Sequence, residues 1–386
     1  MNLFDVYPLF DIEITHAKGS YLWDRKGTKY LDLYGGHAVI SIGHGHPNYV
    51  KKVNEQLELI GFYSNSVQNP LQVELAQKLG EISGYPDYQL FLCNSGAEAN
   101  ENALKLASFH TGSKKVIAFK NGFHGRTSAA VSITDNPKII APINAQHNTI
   151  LVDLNDIEGV SKAIDEGDVC ALIIEGMQGI GGIVEPSQQF LKDLEQLCKD
   201  NKVLLVLDEI QSGYGRTGKF FAHQYANIQP DLITVAKGMG NGFPIGGVLI
   251  SPDIEAKFGL LGTTFGGNHL ACAAGIAVLD TIKEEELIQN TFSIGEQIKE
   301  ALQSVPEIKE VRGKGLMIGL EFDFPIKPLR NKLLQEKHIF TGVSSDPNVL
   351  RILPPLNIKR QEVDQFVNSL KSVLIKSSNN EAVHPG

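Results

Sequence analysis

The chain has 386 residues, 42% apolar and 20% charged, so it can bury a sizeable core and does not read as a disordered segment. Asp and Glu outnumber Lys and Arg by 44 to 35, a net charge of −9, and no basic run of the phosphate-tracking kind appears, which argues against nucleic acid as a partner. The four cysteines, Cys93, Cys170, Cys198 and Cys272, lie far apart, without the paired spacing of zinc or redox sites. Three of them sit among apolar residues, as buried thiols do in a reducing compartment. The opening stretch MNLFDVYPLFDIEI has neither a basic region nor a long apolar core, and no run approaches the ~20 residues of a membrane helix. A soluble, cytoplasmic protein with no membrane partner is the expectation.

In chain order, residues 19–24 and 26–32 read as a hairpin with its turn near 25–28. Gly35, Gly36, Gly43 and Gly45 then punctuate a loop. His44 and His46 flank Gly45, but with no acidic or thiol neighbour they read as part of a turn leading into Pro47, and no metal is expected. Helical apolar spacing covers 47–59 and again 71–82. Residues 89–93 (QLFLC) form a strand, Asn94-Ser95-Gly96 a turn, and 97–109 a helix rich in strong formers. Small polar residues at the first turn of a helix after a strand offer free N–H groups and a positive dipole end to an anion. Ordinary helix capping by Ser95 explains the same residues.

Residues 115–120 (KVIAFK) read as a buried strand, and Gly122-Phe123-His124-Gly125-Arg126 follows it. Phe123 is placed to stack on a flat ligand, or to anchor the loop in the core. Arg126 is able to grip a carboxylate through two parallel hydrogen bonds. Two further apolar strands, 170–175 (CALIIE) and 203–209 (VLLVLDE), each close on a carboxylate, with helices expected around 157–166 and 190–200. Such alternation means a parallel sheet covered on both faces, and ligands of such sheets bind beyond the carboxyl ends of the strands.

The stretch 231–247 (DLITVAKGMGNGFPIGG) carries one more buried strand, ending on Lys237 before a glycine-rich loop. A lysine there is either a surface residue opening the loop or a desolvated amine, and a neutral amine attacks an aldehyde to hold it as a Schiff base. Asp208 closes the most apolar strand and needs a partner to offset its burial, for which a protonated ring nitrogen is suited. Asp208 and Lys237 are separated by about one strand–crossover–strand unit. Ser95, Phe123, Glu175, Asp208 and Lys237 all fall at carboxyl ends of strands. An amine, a carboxylate, a stacking aromatic and a phosphate-binding turn around one ring describe pyridoxal phosphate. Beyond 261–275 the composition becomes more charged, with helices expected near 275–299 and 327–337 and strands at 310–312, 316–322 and 349–353. Arg351 lies between apolar neighbours in the last of these.

The motifs YLDLYGGHAVISIGHGHP, NSGAEANENALKLA, GFHGRT, LDEIQSGYGRTGKF, TVAKGMGNGFPIGG, TTFGGNHLACA and NVLRILPPL, in this order, resemble those of class-III pyridoxal-phosphate aminotransferases, in the subgroup of acetylornithine, succinylornithine and ornithine aminotransferases. The resemblance runs from about residue 15 to residue 370. It implies the α/β architecture of fold-type-I enzymes related to aspartate aminotransferase, with a mostly parallel central sheet flanked by helices and a smaller α/β domain. The divisions expected are an N-terminal segment 1–45 joining the small domain, a cofactor-binding domain 46–270, a C-terminal domain 271–375 and a disordered tail 376–386. By similarity Lys237 would hold the cofactor covalently, Asp208 would keep its ring nitrogen protonated, and Glu209 and Gln211 would lie close by, Gln211 near the phenolic oxygen. Phe123 would stack on the ring, Ser95, Gly96 and Ala97 would take the phosphate, and Thr264 would reach that phosphate from the partner subunit of a homodimer. Arg126, with Thr263 nearby, would bind the α-carboxylate of an N-acylated ornithine, and Arg351 a carboxylate of glutamate or 2-oxoglutarate. The implied reaction moves the δ-amino group of N-acetyl- or N-succinylornithine to 2-oxoglutarate, in arginine biosynthesis. Free ornithine, acyl-lysine and 4-aminobutyrate stay open as donors, and so do decarboxylation or aminomutase chemistry on the same scaffold.

One position departs from the family pattern. Members commonly read E-P-x-Q-G-E where this chain has Glu175-Gly176-Met177-Gln178-Gly179-Ile180. Ile180 stands in place of a glutamate that would pair with the second arginine. Arg351 is then left without an evident carboxylate gate, which favours N-acyl donors over free ornithine and a carboxylate-ended acyl group over acetyl.

Overall fold

The computed structural model describes residues 1–145 and 148–381, with side chains described as far as residue 375. A seven-stranded sheet forms its centre, in the spatial order Gln89–Cys93, Gly246–Ile250, Leu232–Val235, Leu204–Asp208, Val169–Glu175, Lys115–Phe119 and Thr149–Val152. Strand Gly246–Ile250 runs antiparallel to both its neighbours, while the pairings from 232–235 across to 149–152 are all parallel. Every residue of 169–175, 204–208 and 232–235 is buried, which is why these strands are continuous apolar runs rather than alternating ones. Register sets Glu175 opposite Asp208 and Asp208 opposite Thr234, so three polar side chains arrive together at one end of an otherwise oily sheet.

Helices cover both faces. Pro70–Ser83 and His269–Glu284 bring Leu75, Leu79, Ile276 and Leu279 to one core cluster, and Gln188–Asn201 brings Phe190 and Leu194 to another against Phe119, Leu172 and Leu207. This is the α/β arrangement with a largely parallel sheet that the sequence led us to expect. The four cysteines are buried and free.

The N-terminal strands Ile14–Lys18, Tyr21–Asp24 and Lys29–Asp32 form an antiparallel ribbon, and 29–32 pairs in parallel with Ile339–Phe340. A third, antiparallel sheet orders Glu310–Lys314, Met317–Glu321, Val349–Ile352 and Gly342–Val343. The long helix expected over 275–299 is two helices, His269–Glu284 and Leu287–Gln303, broken where Glu286 turns left-handed at φ 52°. His269–Glu284 packs on Pro47–Leu59 and Pro70–Ser83, so we place the division between large and small units after this helix rather than at 270–271. The last helix spans Arg360–Glu381 and so enters the 376–386 stretch that was expected to be a disordered tail. No Pro or Gly intervenes to stop it, and 382–386 lie outside the described residues. Arg216, 2% exposed, ties the units together by donating to the carbonyls of Leu316, Pro354 and Ile40. Among the described residues no helix is long and apolar enough to cross a membrane.

Candidate active site

A cavity of about 440 Å³ opens beyond the carboxyl ends of the central strands, within the size range of small-molecule sites. Its walls include Ser95, Gly96, Ala97, Phe123, Arg126, Glu175, Ile180, Asp208, Gln211 and Lys237. Sequence spacing had separated these residues by up to 142 positions; parallel topology gathers them because each follows a strand pointing the same way.

Lys237 begins the short turn after strand 232–235 and takes φ +40°, a left-handed backbone that costs a non-glycine residue energy. Burial pulls its amine below the usual lysine range; Asp208 and Glu175 oppose that pull and Arg351 adds to it. Asp208 is 4% exposed and fully engaged. Its Oδ2 accepts from His124 Nδ1 at 2.7 Å and Asn100 Nδ2 at 2.9 Å, and its Oδ1 accepts from the Ile210 N–H at 3.1 Å. Thr234 Oγ1 donates in turn to Asn100 Oδ1 at 2.8 Å, fixing the amide's orientation. Although burial works against a charged His124, its bond to Asp208 and the charges of Asp208 and Glu175 outweigh that, and its pKa is raised above 6.5. Glu175 accepts from the Phe123 and Gly179 N–H groups at 3.0 and 2.9 Å. Burial, reinforced by Asp208, still pushes its carboxyl upward.

Ser95 caps the sixteen-residue helix Gly96–Thr111 by accepting from the Glu98 N–H at 3.2 Å. The N–H groups of Gly96 and Ala97 have no partner within the helix and border the cavity. A Cβ on Gly96 would meet the Ile210 side chain at 2.8 Å, so only glycine lets that helix end approach the strand carrying Asp208. Gln211 donates from Nε2 to the His37 carbonyl at 3.1 Å and accepts from Arg351 Nη1 at 3.3 Å. Arg351 is buried one layer behind this wall, donates from Nε to the Val343 carbonyl at 2.5 Å, and leaves Nη2 buried without a partner. Arg126 is exposed on the cavity rim.

Two sequence expectations, those for Glu209 and Thr263, land elsewhere. Both oxygens of Glu209 are occupied by Ser212, the Ala222 N–H and His223, all away from the cavity, so Glu209 braces the loop after Asp208 rather than facing a cofactor. Thr263 and Thr264 also lie outside the cavity of their own chain: Thr263 Oγ1 accepts from Gly266 N and Asn94 Nδ2, and the loop is largely exposed. Two residues that sequence reading passed over, His124 and Asn100, hold Asp208. His124 stood in view between Phe123 and Gly125, but Asn100 is one polar residue in a helix and gave no signal. His44 and His46 bond to Asp32 and Glu285, each at 2.8 Å.

An amine able to capture an aldehyde, a braced carboxylate for a cationic ring, an aromatic wall and a helix N-terminus for a phosphate fit pyridoxal phosphate, and the orphaned Nη2 of Arg351 fits a carboxylate of the substrate. The family model for class-III aminotransferases matches residues 5–374. An acetylornithine aminotransferase of Bacillus subtilis is 40% identical over 98% of both chains, and one of Aquifex aeolicus is 39% identical over 96% of this chain and 99% of its own. A solved ornithine aminotransferase of Toxoplasma gondii superposes with a TM-score of 0.90 at 30% identity, covering 97% of this chain and 92% of that one. A second structure of that enzyme has partial occupancy of pyridoxal phosphate at its active site and a TM-score of 0.89, covering 96% and 92%. With the match to the family model running almost end to end, the chain belongs to the class-III aminotransferases.

Proposed function

We propose that this chain transfers the δ-amino group of an N-acylated ornithine, N-acetylornithine being the reference donor, to 2-oxoglutarate, as a step of arginine biosynthesis in the cytoplasm. The observation that carries the reading is the meeting of Lys237 and Asp208 in one cavity, at the ends of adjacent parallel strands and beside the Gly96–Thr111 helix N-terminus. Relatives 38–40% identical over nearly their whole length bear the name acetylornithine aminotransferase.

When bound, pyridoxal phosphate supplies an aldehyde and a ring that withdraws electrons from the reacting carbon. Lys237, depressed below the ordinary lysine range, is the amine that would hold the aldehyde and, when free, would move the proton at the substrate carbon. Asp208, braced by His124 and Asn100, would hold the proton on the ring nitrogen. Ser95, Gly96 and Ala97 would take the phosphate, Phe123 would cover the ring, and Gln211 would serve its phenolic oxygen. Arg126 binds the donor's α-carboxylate and Arg351 a carboxylate of 2-oxoglutarate. Thr263 and Thr264, outside their own chain's cavity, serve that of a second copy in a homodimer.

Purified protein supplied with N-acetylornithine and 2-oxoglutarate should form glutamate in equal amount to the semialdehyde. Lys237→Ala should abolish turnover and the visible absorbance of the holoenzyme while keeping the native circular-dichroism spectrum. Turnover near the wild-type rate in that variant would remove Lys237 from its role, and product formation without 2-oxoglutarate would point to a decarboxylase or aminomutase.

A further inference from the structure

Two arginines hang from one short segment beside the cavity. Arg330 donates from Nε to the Thr341 carbonyl at 3.0 Å, and Arg351 donates from Nε to the Val343 carbonyl at 2.5 Å. Between them lies Gly342, where a Cβ would meet the Tyr34 ring at 3.1 Å and Arg351 Cβ at 3.2 Å, so Tyr34 is packed against this segment next to Arg351. The Tyr34 hydroxyl lies 2.6 Å from a ring nitrogen of His37. His37 belongs to a left-handed turn in which Gly35, Gly36, His37 and Ala38 have φ of 55°, 55°, 68° and 64°. That backbone is costly at His37 and Ala38, and the bond from Gln211 to the His37 carbonyl helps hold it. Tyr34, His37, Arg330 and Arg351 thus form one cluster, joined to the cavity through Gln211, which lines it and bonds to both His37 and Arg351.

The cluster has cations and no anion. Among the described residues neither arginine forms an ion pair with an Asp or Glu, although the charge of Glu175 acts on Arg351, and the cavity-lining residue bonded to Arg351 is the neutral Gln211. The Arg330 guanidinium lies 5.1 Å from the Phe10 ring centroid, a contact that orients it without neutralising it. Partial burial first, then the charges of Arg351, Lys237 and Arg330, hold the His37 imidazole down to about 4. At neutral pH the ring is therefore an uncharged hydrogen-bonding partner beside two guanidiniums, which matches the needs of a carboxylate. The reading above uses Arg126 for the donor's α-carboxylate and Arg351 for a carboxylate of 2-oxoglutarate, and leaves Arg330 over.

We propose that Arg330, with the Tyr34 hydroxyl and His37, is a subsite for a carboxylate at the far end of the donor's N-acyl group, which makes the preferred donor a dicarboxylate such as N-succinylornithine. This rests on the N-acylornithine reading and selects among its donors. The test measures kcat/KM for N-succinylornithine and N-acetylornithine at saturating 2-oxoglutarate, in the wild-type holoenzyme and in Arg330→Met and Arg330→Lys. The wild type should favour the succinyl compound by about tenfold or more, and Arg330→Met should remove most of that preference through KM, with Arg330→Lys restoring part of it. A wild type that favours N-acetylornithine overturns the subsite without needing any variant. So does a succinyl preference that Arg330→Met leaves within about twofold. No turnover of either donor overturns the N-acylornithine reading, and the subsite with it.

Discussion

Asp208 receives three hydrogen bonds from its own chain before any ligand arrives, and Lys237 receives none of comparable strength. The acid is immobilised while the amine is left reactive. Because burial takes the Lys237 amine below its usual value of 10.5, the neutral, nucleophilic form persists to lower pH than in a surface lysine. Uptake of pyridoxal phosphate by cofactor-stripped protein should therefore speed up as pH rises and level off below pH 10.5, followed by stopped-flow absorbance. A rate that keeps climbing past that value would describe a solvated amine. At this scale Lys237 and Asp208 were legible because each ends an apolar strand. The seat of Arg351 behind Gln211 was not, since nothing in an alternating strand says which layer a side chain reaches. Glu209 was misjudged for a related reason: adjacent residues at a strand end face opposite ways, and only Asp208 turns to the cavity.

Elements with continuous apolar runs were readable, and those punctuated by glycine were not. Strand Gly246–Ile250 has no counterpart among the sequence expectations, because its first two residues belong to the glycine-rich run after Lys237. They are there for packing: a Cβ would meet the Ser95 carbonyl at 2.7 Å from Gly246 and the Phe91 carbonyl at 3.0 Å from Gly247. The strand Thr149–Val152 is only four residues long and carries too little pattern to register. Capping chemistry marked one helix start in the sequence, Ser95; the start of Gln188–Asn201, expected only around 190, was not read from its cap. Ser187 accepts from the Phe190 N–H at 3.1 Å at the head of Gln188–Asn201, remote from the cavity. Ser187→Ala should lower unfolding stability by about 1 kcal/mol in urea titration and leave kcat unchanged. An unshifted midpoint would mean the cap is replaced by solvent.

For the whole molecule, the helix Pro47–Leu59 buries none of its residues, and Leu57, Leu59, Phe62, Tyr63, Val67 and Phe265 stand exposed near one another in the chain or across the Phe62–Phe265 ring contact at 5.3 Å. Apolar surface so concentrated is what a second copy would cover. Sedimentation should give twice the 42.1 kDa chain mass, and Phe62→Glu should shift it toward the monomer with weaker cofactor retention, since Thr264 would no longer reach a neighbouring cavity. A monomeric wild type with full activity would remove the shared site. None of this surface could be read from composition, because exposed and buried apolar residues look alike in a sequence.

The guanidinium of Arg216 has one more bearing on how this enzyme works. It is shared among carbonyls from residues 40, 316 and 354, while Ser41 donates to the Gly238 carbonyl and to Asn241, so the wall that carries His37 is fastened both to the C-terminal lobe and to the turn that begins at Lys237. Loss of that guanidinium would therefore loosen lobe and wall from each other, while the wall's own bonds to the Lys237 turn stayed in place.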